Sequence, residues 1–230
     1  MKVVVTAGPT REFLDPVRFL SNPSTGKMGF AVAAEAARRG HDVALVAGPV
    51  SLPTPKGVCR IDVVSARDML RETRRAAKGA DVLVATAAVA DWRPARCARR
   101  KLKKGEMEPF VRLARNPDVL KSVKCPFKVG FAAETGDPVA EAVRKCREKK
   151  LAFVVANDVT APGAGFGVDT NKAAFVFYDG SVERLPLMSK RALARRIVAA
   201  VERRVLKKPS IEKVSESLGK ATQRQCHFCR

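Results

Sequence analysis

The chain reads as an α/β fold with a Rossmann-like, mainly parallel sheet, flanking helices and a small β-hairpin extension. Three observations carry that expectation. Apolar runs of strand length recur along the chain, helical patterns separate them, and each run is followed by a segment of small or polar residues. Strands that alternate with helices imply βαβ crossovers and therefore parallel pairing. Residues 1–206 are expected to form one domain with its hairpin near 173–186, and residues 207–230 a basic, loosely attached tail.

Residues 2–7 form a continuous apolar first strand, which follows Met1 directly and so does not resemble a signal peptide. Residues 27–39 are Ala-rich and end at Arg38-Arg39-Gly40, the stop of a helix. Asp42 to Ala47 is a second strand, and a short one is expected near 60–64. Ser65-Ala66-Arg67-Asp68 resembles a capping box that opens a helix to about residue 78. Asp81 to Ala85, Phe127 to Ala132 and Ala152 to Ala156 are further buried strands, with a helix near 137–149 between the last two. Asp179-Gly180 lies between two β-rich runs, Ala173 to Tyr178 and Val182 to Pro186, as in a hairpin. A final helix is expected over about 188–206.

Composition narrows the function. The 230 residues include 44 Lys and Arg against 23 Asp and Glu, a net charge of +21. Such a chain attracts polyanions, but its basic clusters are dispersed along the sequence, which favours a solvated surface over a nucleic-acid footprint. No run of 18 apolar residues is present, so no membrane span is expected. Six cysteines without regular spacing fit reduced thiols and a cytoplasmic location. Cys226-His227-Phe228-Cys229 is a CxxC without a second pair to complete a zinc site.

In such a sheet, ligands bind beyond the carboxyl ends of the strands. After the first strand comes a long polar loop, Gly8 to Gly26, that feeds a helix N-terminus. Free amides and the helix dipole make that a place for an anion. The loop lacks Gly-x-Gly-x-x-Gly, which argues against an NAD(P) oxidoreductase, and Gly26-Lys27 is followed by Met28, which breaks the P-loop pattern. After the Asp81 to Ala85 strand, small residues lead to Asp91, which can hold a metal or a sugar hydroxyl. Lys101 to Lys104 can meet a triphosphate or simply face solvent.

These segments resemble the phosphopantothenate–cysteine ligase family of coenzyme A biosynthesis. The matching motifs run in order: TAGPTRE at 6–12, LDPVRFLSNPSTGKMG at 14–29, SLPTP at 51–55, AAVADWRP at 87–94, KLKK at 101–104, NPD at 116–118, GFAAET at 130–135 and ANDV at 156–159. They cover roughly residues 2–188 and show no flavin-binding half, so the resemblance implies a stand-alone ligase without flavin. It implies a two-step reaction: the carboxylate of 4′-phosphopantothenate attacks the α-phosphate of a nucleoside triphosphate, pyrophosphate leaves, and the cysteine amine then displaces the mononucleotide.

The resemblance also implies roles by motif. Asn22 would handle the acyl intermediate and substrate, and Lys101 would serve the first step. Arg18 and Ser24 would lie at the phosphopantothenate end. Ala85, Thr86, Ala87, Asp91, Lys101, Asn116, Pro117, Asp118, Val119 and Phe131 would hold the nucleotide. Lys145 and Lys149, one helical turn apart, would face the triphosphate together. Mg²⁺ would accompany the nucleotide, with Asp91 as its candidate ligand. The KLKK and NPD pattern resembles the CTP-using bacterial type more than the ATP-using animal type. Pro23 departs from the family pattern between Asn22 and Ser24 and would stiffen the loop. A homodimer whose partner covers the active site is implied, with the 173–186 hairpin as a candidate contact.

Overall fold

The computed structural model describes residues 1–106, 110–158, 160, 162–165 and 167–206. The expected tail at 207–230 and its CxxC lie outside the described residues. The elements are β1 (Lys2–Ala7), β2 (Arg11–Phe13), β3 (Phe19–Ser21), α1 (Lys27–Arg38), β4 (Asp42–Ala47), β5 (Val58–Asp62), α2 (Ala66–Ala76), β6 (Val82–Ala85), β7 (Trp92–Pro94), β8 (Leu113–Arg115), α3 (Val119–Ser122), β9 (Phe127–Glu134), α4 (Val139–Glu148), β10 (Phe153–Asp158), β11 (Thr170–Asn171), β12 (Ala173–Phe177), β13 (Val182–Arg184), β14 (Met188–Ser189) and α5 (Lys190–Leu206). No helix among them is long and apolar enough to cross a membrane.

Eight strands form one sheet in the order β13-β12-β10-β9-β6-β1-β4-β5. From β10 to β5 every pairing is parallel. Helices cover both faces because the central strands are apolar throughout rather than alternating. On one face, Phe30, Val32 and Ala36 of α1 and Leu193, Ile197 and Val201 of α5 pack against Val3, Val5, Leu45, Val129 and Val155. On the other, Met69 of α2, Leu120 of α3 and Cys146 of α4 cover Val4, Leu83 and Val154. Phe153 anchors an aromatic group, with ring centroids 5.3 Å from Phe175 and 5.6 Å from Phe177.

Local chemistry fixes the helix ends. Ser65 and Asp68 form the expected capping box on α2. Glu35 of α1 is buried and receives Arg38 at 2.8 Å and Arg39 at 2.7 Å. Arg39 and His41 both reach Glu202 of α5, at 2.6 and 2.9 Å, which ties the two helices together.

The 173–186 hairpin extends the main sheet: β12 pairs antiparallel with β10, and all five of its residues are buried. One expectation is corrected. The strand expected at 60–64 starts earlier, because Val58, not Val63 or Val64, opens the pairing with β4. The long polar loop after β1 also carries structure of its own, the antiparallel pair β2-β3.

Candidate active site at the carboxyl ends of the strands

After β1 the chain builds outward through β4 and β5, then crosses back to place β6, β9 and β10 on the other side. The strand order therefore reverses between β1 and β6, which leaves a crevice beyond their carboxyl ends. The loop of small residues after β6 is laced to the loop after β1. Thr86 Oγ1 donates to Thr6 O at 2.7 Å, Ala88 N donates to Gly8 O at 2.9 Å, and Ala90 N donates to the buried Thr10 Oγ1 at 3.0 Å.

Helix α1 is pressed against this seam. A Cβ on Gly29 would sit 2.4 Å from Thr86 Oγ1 and 2.5 Å from Ala7 Cβ, so only glycine permits the approach. Gly26, at φ 76°, turns the chain into α1 without a side-chain cap and with no acidic residue in the first turn. The first amides of α1 thus remain available to an anion.

Two cavities open here, of about 520 and 400 Å³, and they share Ala87, Val89, Phe131 and Lys145, which makes them one continuous cleft. The first holds the predicted nucleotide residues Ala85, Asp91, Asn116, Pro117, Asp118, Val119 and Lys149. The second holds Asn22, Ser24 and Thr86. Asn116 stitches the first cavity's wall: its Nδ2 donates to Ala90 O at 2.9 Å and its backbone N to Asp91 O at 2.8 Å, while its Oδ1 accepts from Arg93 at 3.2 Å. Asp118 caps α3 through Lys121 N at 2.9 Å and pairs with Lys149 at 2.7 Å. Burial works to raise the Asp118 pKa, but Lys149 and the Lys121 amide outweigh it and leave the carboxyl below its ordinary value. Lys145 lies 3.6 Å from Glu134. Asn22 Nδ2 donates one hydrogen bond, to Ala88 O at 3.0 Å, and carries a second N–H.

Two of the predicted residues lie elsewhere. Arg18 is held against the buried Asp15, with Nε 3.0 Å from its carboxylate, and donates from Nη2 to Leu102 O at 2.9 Å. Arg18 and backbone amides, Leu102 N among them, hold the Asp15 carboxyl far below the usual carboxylate range. Lys101 follows its neighbour Leu102 onto this arm; it is exposed and does not line either cavity.

Several lining residues were given no role from the sequence, although Lys27 and Asn157 lie inside quoted motifs. Lys27 reaches across to Asp169 at 2.7 Å and Gly167 O at 3.0 Å. Lys190, the buried first residue of α5, donates to Gly165 O at 3.2 Å and to Val168 O. Burial and the neighbouring Lys27 lower its pKa, with Asp169 opposing. Asn157 and Asn171 are buried beside it. Polar residues at strand ends, as in Asn157-Asp158, were the available signal for the first; nothing local marks Lys190.

Among the described residues no three Asp, Glu, His or Cys side chains converge as a metal cage. A Mg²⁺ that arrives on phosphates needs only one or two carboxylates. Asp91 is exposed at the cavity wall and fits that modest requirement.

A mainly parallel sheet covered on both faces, with a lysine-lined crevice at its switch point, defines an α/β protein with a site suited to anions. The family described as the DNA/pantothenate metabolism flavoprotein C-terminal domain matches residues 1–205, and the chain belongs to it. The chain is 45% identical over 207 residues to the coenzyme A biosynthesis bifunctional protein CoaBC of Vibrio vulnificus strain YJ016, covering 87% of this chain and 51% of that protein. To CoaBC of Bacillus subtilis strain 168 it is 48% identical over 193 residues, or 82% and 48% of the two chains. It therefore spans about half the length of the curated relatives it matches. The crystal structure of the C-terminal domain of CoaBC superposes with a TM-score of 0.76 at 37% identity, over 90% of this chain and 96% of that one. A Cab2 variant in complex with phosphopantothenate-cysteine shares the fold, with a TM-score of 0.73 at 18% identity over 89% and 86% of the chains.

Proposed function

We propose that this chain is a phosphopantothenate–cysteine ligase of coenzyme A biosynthesis that works in the cytoplasm with CTP and Mg²⁺. The observation that carries the reading is the continuous cleft. One cavity offers Lys145, Lys149 and the Asn116 to Val119 turn to a nucleotide, and the other offers Asn22, Ser24 and the α1 amides to a phosphorylated acid. The two meet at Ala87 and Phe131, where a carboxylate and an α-phosphate would be joined.

Positioning and charge carry this chemistry without a protein nucleophile. Lys145 and Lys149 offset the charge of the departing pyrophosphate. The second N–H of Asn22 faces the acyl group and donates to the oxyanion that builds as the amine attacks. Mg²⁺, when bound with the nucleotide, would supply further charge neutralisation on the phosphates, and Asp91 is the residue that would hold it.

A homodimer completes the reading. The arm formed by the β2-β3 and β7-β8 pairs and the residues beside them exposes Phe19, Leu20, Phe110 and Leu113, with Phe110 66% exposed. A second copy is the occupant we propose, because the same arm carries Arg18 and Lys101, which line neither cavity of this chain.

The test is a nucleotide panel of CTP, ATP, GTP and UTP. CTP with phosphopantothenate is expected to release pyrophosphate, and cysteine to yield phosphopantothenoylcysteine by mass spectrometry. No phosphopantothenate-dependent pyrophosphate from any nucleotide overturns the reading.

A further inference from the structure

The ANDV motif at 156–159 brings Asn157 to the end of β10, paired in register with Ala133 of β9 and Ala173 of β12. It continues the face of Phe153 and Val155, which looks toward α1 and α5, and it lines the 400 Å³ cavity. Asn157 is 7% exposed, yet its Oδ1 has no hydrogen-bond partner among the described residues. A buried acceptor left without a donor costs about 1–3 kcal/mol, so the fold alone gives no reason to keep an amide on an otherwise apolar strand. Among the described residues the other buried side-chain oxygens without a hydrogen bond, on Glu72 and Thr73, belong to α2 in the opposite layer, and that of Glu72 lies 3.1 Å from Arg75.

The surroundings select the donor. Among the described residues the cavity lining includes Lys27, Lys145 and Lys190 and no carboxylate, while Asp169 pairs with Lys27 at 2.7 Å and Glu134 lies 3.6 Å from Lys145 just outside it. Phosphate and carboxylate groups of a ligand are drawn to those ammoniums. An amine among them is kept in its neutral, nucleophilic form, because nearby positive charge disfavours a further cation. Its N–H groups must then find an uncharged acceptor.

On the ligase reading given above, we propose that the Asn157 carboxamide oxygen accepts an N–H of the attacking α-amine, which makes Asn157 part of the amino-acid subsite. The nitrogen lone pair forms the C–N bond, the acyl C–O bond breaks, the mononucleotide leaves with that pair, and the surplus amine proton passes to water. Asn157 orients the amine and takes no proton itself.

Steady-state kinetics of the full chain test this. Asn157→Ala is expected to raise the cysteine KM about tenfold, as for one lost hydrogen bond. The phosphopantothenate KM and the pyrophosphate released without cysteine should not change. Asn157→Asp retains an acceptor, so it should restore cysteine affinity. Its charge stabilises the ammonium, which moves the pH profile of the cysteine step to higher pH. An unchanged cysteine KM in folded Asn157→Ala overturns the proposal. So does a rise in the phosphopantothenate KM in its place, which would assign the contact to the acyl chain. If Asn157→Ala fails to fold, an Asn157→Asp variant with weakened cysteine affinity overturns it equally. Failure of the ligase reading is separate: the unaltered enzyme would then make no cysteine-dependent product.

Discussion

The Lys149–Asp118 pair predicts opposite effects from its two halves. Lys149 Nζ sits 2.7 Å from Asp118 Oδ2, and both line the cavity assigned to the nucleotide. Their side chains are 22% and 38% exposed, so the pair itself stabilises the fold by only about 0.2–1 kcal/mol. Its larger effect is on a bound polyanion. Lys149→Met removes an attractive charge and uncovers a carboxylate at the same wall. A half-exposed charge contact at 4 Å lies between about 1 and about 4 kcal/mol, so a loss of roughly 2 kcal/mol is expected, or about 30-fold in affinity. Asp118→Asn acts the other way. Asparagine caps a helix about as well as aspartate, so α3 and its Lys121 amide remain satisfied, while Lys149 is released toward the triphosphate. The nucleotide Kd should hold or tighten, and adding Asp118→Asn to Lys149→Met should recover several-fold of the lost affinity. Isothermal titration of the four proteins with CTP reads this directly. If Lys149→Met changes the Kd by less than about twofold, or if Asp118→Asn weakens binding as much as Lys149→Met, the electrostatic argument fails.

Three further outcomes follow from the geometry. Asn22→Asp should still release pyrophosphate but convert the acyl-nucleotide slowly, because a carboxylate repels the developing oxyanion; the intermediate should accumulate in the mass spectrum with cysteine present. Gly29→Ala forces α1 off the Thr6–Thr86 seam and should cost about 1–3 kcal/mol in thermal unfolding, with weaker phosphopantothenate binding. For Glu35, Arg38 and Arg39 hold the carboxyl down to about 2 against the opposing effect of burial. Ionisation is therefore favoured in the folded state. The contribution is complete above the unfolded value near 4.5 and is lost as pH falls toward about 2. Glu35→Gln should cost on the order of 1–2 kcal/mol at pH 7, after discounting for the exposure of Arg38, and that difference should shrink in unfolding curves between pH 4.5 and 2.

The parallel strands were legible in the sequence because each is a continuous apolar run closed by small or polar residues. What escaped were strands of two or three residues. Arg11–Phe13 and Phe19–Ser21 are too short to show alternation, and Trp92–Pro94 pairs with Leu113–Arg115 only through the tertiary fold. The hairpin at 173–186 was legible from two β-rich runs around Asp179-Gly180. Its first strand, Ala-Ala-Phe-Val-Phe, is apolar at every position, the pattern of a strand covered on both sides rather than of a half-exposed ribbon. The cleft was legible where its residues follow strands. Lys190 escaped because it opens a helix far along the chain, and its place beside Asn157 depends on how α5 docks. Arg18 and Lys101 sit in the expected motifs, but the Asp15 clamp holds them on the arm rather than at the cleft of their own chain.

The docking of α5 on α1 also bears on how the protein is made. Val32, Ala33 and Ala36 of α1 are synthesised early, but the apolar face that covers them, from Leu193 to Val201, emerges only near the end of the described chain. Until then α1 covers β1 and β4 while its own apolar face toward α5 stays bare. A nascent chain of this kind is exposed to aggregation throughout synthesis and calls on chaperones longer than a protein whose neighbouring helices are adjacent in sequence. A cut that removes α5 would leave that layer open, so α5 bears on the chain's survival in the cell, although among the described residues it supplies only Lys190 to the cleft.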